Sequence, residues 1–393
     1  MIEKHSISEE IVSFRGIFQR RLTLLQGTAL IVSGTIGAGI LSVPYAISRS
    51  GALIGFMYIA ILGFLMIVLN LMLGQVVSVQ PTTVQLPGLA RRYLGVWGGY
   101  AMNIILYVML TGVLVVYLIG EGETLSALFG GEPFYWTLGF FFIGAVLIAS
   151  GMKSIKRVES VLVVGMLAII CMIILAGAPH ANITNLLDTN LANLLFPYGV
   201  ILFAFHGSSS IPEVYSIMKH RNGTFKRAIL NAGTIAIIVY AGFALMTVAV
   251  MGDNTPQIAT AGLERYVGHT AFVFGNIFAF LAMGMSFLIT SLSLRDSLVW
   301  DHKIKESVAT ILILIIPFLL FYLGLRNFAA VIDIIGGVLV SLELFFIILI
   351  YWRAYRKGDL IGHTYHLHRV IIFIIPLILA LGVGAVYSVG KLF

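Results

Sequence analysis

Charge is scarce in this chain. Only 10% of its 393 residues are Asp, Glu, Lys or Arg, whereas 59% are hydrophobic and the mean hydropathy is +1.02. So few charges cannot solvate a globular surface, which excludes a soluble domain and implies a polytopic protein whose solvent is the lipid bilayer. Cysteine is nearly absent. The single Cys171 excludes an intrachain disulfide and a cysteine-based metal centre, and its place in an apolar run assigns it to packing. A continuous basic domain is also missing, so the net charge of +7 does not imply a nucleic-acid partner. The polar, basic first 21 residues contain no apolar core followed by a small-residue cleavage site, and no removable signal peptide is expected. Motifs of the H-E-x-x-H kind and nucleophile-base pairs are lacking as well, which argues against an enzyme. The irregularly spaced His363, His366 and His368 form a loop feature fit only for adventitious metal.

What is present is a series of long apolar runs. Eleven stretches approach the length needed to cross a bilayer: 22–47, 52–79, 97–119, 134–150, 158–178, 192–217, 227–251, 270–294, 306–325, 328–352 and 369–389. With the N-terminus in the cytoplasm, 20 of the 24 basic residues fall on the cytoplasmic side; Arg49, Arg265, Arg326 and Lys391 are the exceptions. The positive-inside rule therefore supports an odd number of spans, with a cytoplasmic N-terminal segment over residues 1–21. The loop Gln80 to Gly95 has room for a short interfacial helix, and Gly252 to His269 for a helix over the outer mouth.

Two spans are interrupted. The first contains Ser33-Gly34-Thr35-Ile36-Gly37-Ala38-Gly39-Ile40, and each glycine costs about 1 kcal/mol relative to alanine inside a helix. The sixth contains Phe203-Ala204-Phe205-His206-Gly207-Ser208-Ser209-Ser210-Ile211-Pro212-Glu213. Broken backbone at membrane depth is tolerated only where it is buried in protein or lines a cavity. Interruptions five spans apart match a five-plus-five inverted repeat, here residues 22–178 and 192–352 with an extra span at 369–389, whose broken helices build one midplane site. Half-helices starting near Gly39 and Ser208 present N–H groups suited to a carboxylate. Carbonyls around Ser33, Thr35, Phe203 and Ala204 suit an ammonium group or a small cation. A site with both poles fits an α-amino acid.

The run Gly34-Thr35-Ile36-Gly37-Ala38-Gly39-Ile40-Leu41-Ser42-Val43-Pro44-Tyr45-Ala46 resembles the G-x-I-G-x-G-I-x-x-x-P-Y-A signature of the amino acid/auxin permease family. The sixth span, with Pro212-Glu213-Val214, is similar to the wider amino acid-polyamine-organocation superfamily. Span eight, Ser286 to Leu294 with Asp296 and Asp301, resembles the tryptophan/tyrosine permease branch. The resemblance implies an all-α, LeuT-type fold of about eleven transmembrane helices, and secondary transport of amino acids by alternating access. It also implies that spans one, two, six and seven move against spans three, four, eight and nine.

By the same resemblance, Gly37, Ala38 and Gly39 offer backbone to the substrate carboxylate and Phe203 stands at an aromatic gate, with Ala204 leaving space. A sodium site would draw on Ser33, Ile36, Ala282 and Ser286. One expected hydroxyl is replaced by Met285, and Met166 stands where some sodium-independent relatives carry lysine. Thr35, Phe205 and Tyr107 complete the expected substrate surroundings. His206 and Glu213 are the proton-coupling candidates. Asp333 and Glu343 lie nearly three helical turns apart in span ten and cannot form one carboxylate pair. The expectation is a neutral amino acid moved with a proton, ahead of sodium, with no other cofactor, in a prokaryotic plasma membrane. An uncoupled exchanger and a non-transporting amino-acid sensor are the alternatives.

Overall fold

A computed structural model of the protein describes residues 12–14, 17–19, 23–82, 84–150, 155–218, 222–360, 381–388 and 390, with the side chains of 12–19, 155–164, 222 and 300–302 excepted. The histidine cluster at 363–368 lies outside the described residues. A short antiparallel hairpin, β1 (Val12–Phe14) and β2 (Ile17–Gln19), pairs Val12 with Gln19 ahead of the first span. The sequence reading did not anticipate it. Among the described residues, the elements that follow are helical, apart from an isolated antiparallel bridge between Gly51 and Thr189.

α1 (Leu24–Thr35) opens on a capping box: the Thr23 hydroxyl accepts from the Gln26 amide at 3.3 Å while the Gln26 side chain accepts from the Thr23 amide at 3.0 Å. It stops where Ile36 turns extended, at φ −84° and ψ 97°, and α2 (Gly39–Ser50) restarts the span at an angle of 59°. α3 (Ala52–Ser78) is apolar on every face, and at 1.5 Å per residue its 27 residues reach about 40 Å, ample for a hydrocarbon core of about 30 Å. α4 (Leu86–Phe129) is kinked at Gly95, whose φ of 85° breaks a short leading helix from span three, in the loop where an interfacial helix was expected.

α5 (Pro133–Ala149) and α6 (Ile155–Gly177) complete the first half. Span six is divided into α7 (Pro197–Ala204) and α8 (Ser210–Met218). After α9 (Asn222–Met251), two 3-10 turns and the short α10 (Leu263–Val267) occupy the expected loop, followed by α11 (His269–His302) and α12 (Glu306–Tyr322). Span ten is α13 (Phe328–Ile334), a π-helical stretch Ile335–Val340, and α14 (Ser341–Arg356). Residues 381–388 are helical within the eleventh predicted span. By length and apolarity, five described helices and the α1–α2 pair qualify as full membrane spans, and α5, α12 and the apolar part of α6 are shorter.

Packing sorts the helices into two groups. α1, α2, α3, α8 and α9 lie chiefly on one another, and α4, α5, α11 and α12 do the same, while α7 lies between α2 and α3 on one side and span ten on the other. α6 touches both α9 and α11, while α14 bridges α3 and α4. The division sets spans one, two and seven and the second half of span six apart from spans three, four, eight and nine, with the first half of span six shared with span ten.

Candidate functional site

The two interruptions meet each other. A Cβ added to Gly39 would lie 2.7 Å from the Cα of Ala204 and 3.1 Å from Phe203, and one added to Gly34 would lie 2.7 Å from the Cβ of Ser210. Gly207 in turn abuts Thr35. These glycines therefore serve close contact between broken helices, which a methyl group would obstruct. Gly37 differs, because a Cβ there would meet nothing within 4 Å among the described residues. It faces open space at the break.

Helical bonding resumes late in span one, with the Ile40 amide donating to the Gly37 carbonyl at 3.3 Å and Leu41 to Ala38 at 3.1 Å. The amides of Gly37, Ala38 and Gly39 thus precede the ladder and form the electropositive start of α2. In span six, Ser210 and Ile211 resume the bonding onto Gly207 and Ser208. The Ser208 hydroxyl is fully buried and has no hydrogen-bond partner among the described protein atoms.

The remaining predicted site residues divide. Thr35, Ala38 and Ala204 are buried at the junction, and Ser33 and Phe203 are half-buried beside it. The Thr35 hydroxyl donates back to the Ile31 carbonyl at 2.8 Å. Phe205 is 2% exposed and its ring meets that of Tyr240 edge-on at 4.7 Å, so it packs against α9. Tyr107 stands apart from these contacts, its hydroxyl 2.7 Å from that of Ser297 near the end of α11. Ile36 is buried, and Ala282 and Ser286 are half-buried on α11. The Ser286 and Thr290 side chains are both within hydrogen-bonding reach of the Tyr117 hydroxyl on α4.

The two coupling candidates also part company. Glu213 is exposed on α8 and accepts the Ser216 hydroxyl through its carbonyl at 2.6 Å. His206, two residues past the end of α7, places Nε2 2.9 Å from Oε2 of the fully buried Glu343 on α14. Asp333 instead abuts Gly199 at the start of α7. The ten-residue separation of the two acids thus puts them at different points along span six.

Sequence reasoning missed three contributors. Tyr240, wholly buried on α9, donates its hydroxyl to the carbonyls of Ala204 at 2.6 Å and Thr35 at 3.0 Å, the last residues of α7 and α1. Tyr117 was one tyrosine among many apolar neighbours. The π-helical stretch was signalled only by the pair Gly336-Gly337.

A match to the tryptophan/tyrosine permease family covers residues 20–383. The chain belongs to that family. Its members are permeases and not enzymes, in agreement with the reading from missing catalytic motifs. Among relatives of this permease chain, Glutamine transporter 2 of Aliivibrio fischeri is 23% identical over 82% of this chain and 87% of its own length. Amino acid transporter AVT1B of Arabidopsis thaliana is 24% identical over 58% of this chain, which spans only 45% of that relative. The fold is similar to that of the Eremococcus coleocola manganese transporter, with a TM-score of 0.67, 15% identity and coverage of 94% and 86% of the two chains. It is similar also to MhsT in complex with L-phenylalanine, with a TM-score of 0.66, 14% identity and coverage of 93% and 98%. The architecture is thus the all-α, LeuT-type fold of a multi-pass membrane protein.

Proposed function

We propose that the chain is a secondary active transporter of neutral amino acids, working by alternating access and driven by protons. The observation that carries this reading is the meeting of the two broken spans, where the leading amides of α2 border the open space at Gly37. Helix N-terminal amides favour a carboxylate, and the buried Ser208 hydroxyl adds an uncommitted donor at span six. No acidic side chain lies within either interruption, between 33 and 40 or between 203 and 210, to receive a cationic substrate. The names of the bacterial and plant relatives support an amino acid as cargo.

Proton coupling runs through His206 and its partner Glu343. One face of the histidine is at the break and the other is against a buried carboxylate, so the pair can take up or release one proton beside the substrate space. The exposed Glu213 is the weaker candidate. Spans one, two, six and seven move against the group containing α4 and α11, and the repeat halves are 22–178 and 192–352. The chain resides in a prokaryotic plasma membrane with its N-terminus in the cytoplasm.

Uptake of labelled neutral amino acids into proteoliposomes under an imposed proton gradient, a sodium gradient or counterflow tests the reading. Accumulation under the proton gradient alone is expected. If none of the three conditions moves any amino acid, transport is refuted; accumulation under sodium alone refutes the proton assignment.

A further inference from the structure

The hydroxyl of Tyr240 occupies an unusual position. Thr35 and Ala204 end the first halves of spans one and six, and the C-terminal carbonyls of a helix carry its partial negative charge. Two such ends converging in a low-dielectric interior make a pole that carbonyl-lined transporter sites fill with a cation. Here the pole is filled by one neutral O–H group, 2.6 Å from the Ala204 carbonyl and 3.0 Å from that of Thr35.

The surroundings leave that hydroxyl little freedom. Tyr240 is wholly buried, and its ring is held edge-on by Phe205, the residue after the end of α7. Thr35 cannot direct its own hydroxyl hydrogen to the junction while it donates to Ile31. Gly39 packs on the end of α7 so tightly that even a methyl group would lie 2.7 Å from the Ala204 backbone.

We propose that Tyr240 is a positioning residue whose hydroxyl stands in for a coupling cation at the α1–α7 junction, so that this junction binds no alkali metal ion. The inference rests on the transport reading for its significance. The hydroxyl ties the ends of α1 and α7 to α9, and the three helices keep one relative arrangement as the bundle moves. A phenyl ring at the position removes the donor and leaves two buried carbonyls facing each other. An asparagine removes the aromatic body, and its short side chain opens a space beside the two carbonyls where a small hard cation can sit, its oxygen set completed by water.

The test uses the full chain as wild type, Tyr240→Phe and Tyr240→Asn. Thermal unfolding is followed in sodium chloride and in choline chloride at equal ionic strength, and amino-acid counterflow is measured in the same two salts. Tyr240→Phe is expected to lower the counterflow rate at least tenfold in both salts. Tyr240→Asn is expected to gain a sodium-specific rise in melting temperature beyond any in wild type, together with at least threefold faster counterflow in sodium than in choline. Wild-type counterflow by Tyr240→Phe would overturn the proposal, as would an Asn variant indifferent to sodium. A sodium-specific stabilisation of wild type that disappears in Tyr240→Phe would make the hydroxyl a cation ligand and would likewise overturn it. The same stabilisation persisting in Tyr240→Phe supports the proposal by placing the ion elsewhere. If the Phe variant does not fold, the Asn comparison decides. If wild type moves no amino acid, the transport reading fails, whereas the melting comparison needs no substrate and still judges Tyr240.

Discussion

His206 Nε2 lies 2.9 Å from Glu343 Oε2, and this contact ties the interruption of span six to the helical turn that follows the π-helical stretch of span ten. The glutamate side chain is 0% exposed and the histidine 16% exposed, so the carboxylate is buried and the imidazole is its more accessible partner. Its other oxygen has no hydrogen-bond partner among the described residues. Among the described residues, a carboxylate so placed depends on the imidazole for its one close polar contact.

His206→Ala is therefore expected to abolish uptake driven by a proton gradient while leaving counterflow measurable. It should also destabilise the protein by about 1–3 kcal/mol, because Glu343 loses its partner in a buried setting. Glu343→Gln keeps the shape of the pair and removes its charge, so its unfolding temperature should fall less while coupling is still lost. Parallel uptake and melting curves on the two variants check both statements. Retention of proton-driven accumulation in His206→Ala would move the coupling elsewhere.

Gly37 and Gly39 provide a contrast within one turn of chain. A methyl group at Gly37 enters open space, so Gly37→Ala should fold normally and weaken substrate binding about tenfold or more, the usual scale for one misplaced methyl in a pocket being about 1–3 kcal/mol. At Gly39 the same methyl meets the backbone of Ala204, and overpacking there should cost about 1–3 kcal/mol of stability. Radioligand binding and thermal unfolding on both variants distinguish the two effects.

Ser208→Ala removes a buried hydroxyl that has no hydrogen-bond partner among the described residues. Because an unsatisfied polar group contributes nothing by being buried, stability should hold or rise slightly. Substrate affinity should fall about five- to tenfold, on the scale of one hydrogen bond worth about 1 kcal/mol. Unchanged affinity would remove Ser208 from the site.

Gly336→Ala tests the contact between span ten and α7. Its added Cβ would collide with the Gly199 carbonyl and lie 2.8 Å from Phe203 Cβ, so a marked drop in melting temperature is expected. Gly139→Ala on α5 is the control, since no atom of the described residues lies within 4 Å of the new methyl. Helix propensity predicts that this control gains up to about 1 kcal/mol where the added methyl has room.

Much of the architecture was legible in the chain because a membrane span must satisfy its own backbone and be apolar over a fixed length. The breaks at Gly34–Gly39 and at His206–Ser210 were visible for the complementary reason: glycine and serine clusters are conspicuous against leucine and isoleucine. The extra turn in span ten was less visible, since Gly336-Gly337 is compatible with ordinary close packing. Tyr107 was selected from span three as a tyrosine near the site, whereas the structure turns it to Ser297 and sets Tyr117 against Ser286. Spacing along one helix identifies a face. It does not identify which neighbour stands opposite.

The sequence by itself determined the membrane environment, the spans and the two points where helices break, because those follow from hydropathy and local backbone preference. Only the tertiary structure decided which groups meet at the breaks. It paired His206 with a glutamate 137 positions away and placed Glu213 on an exposed face. It also filled the carbonyl ends of α1 and α7 with a hydroxyl from α9. The reason is physical: helix ends and buried polar atoms must find partners wherever packing brings one within about 3 Å, and such partners come from segments remote in the chain.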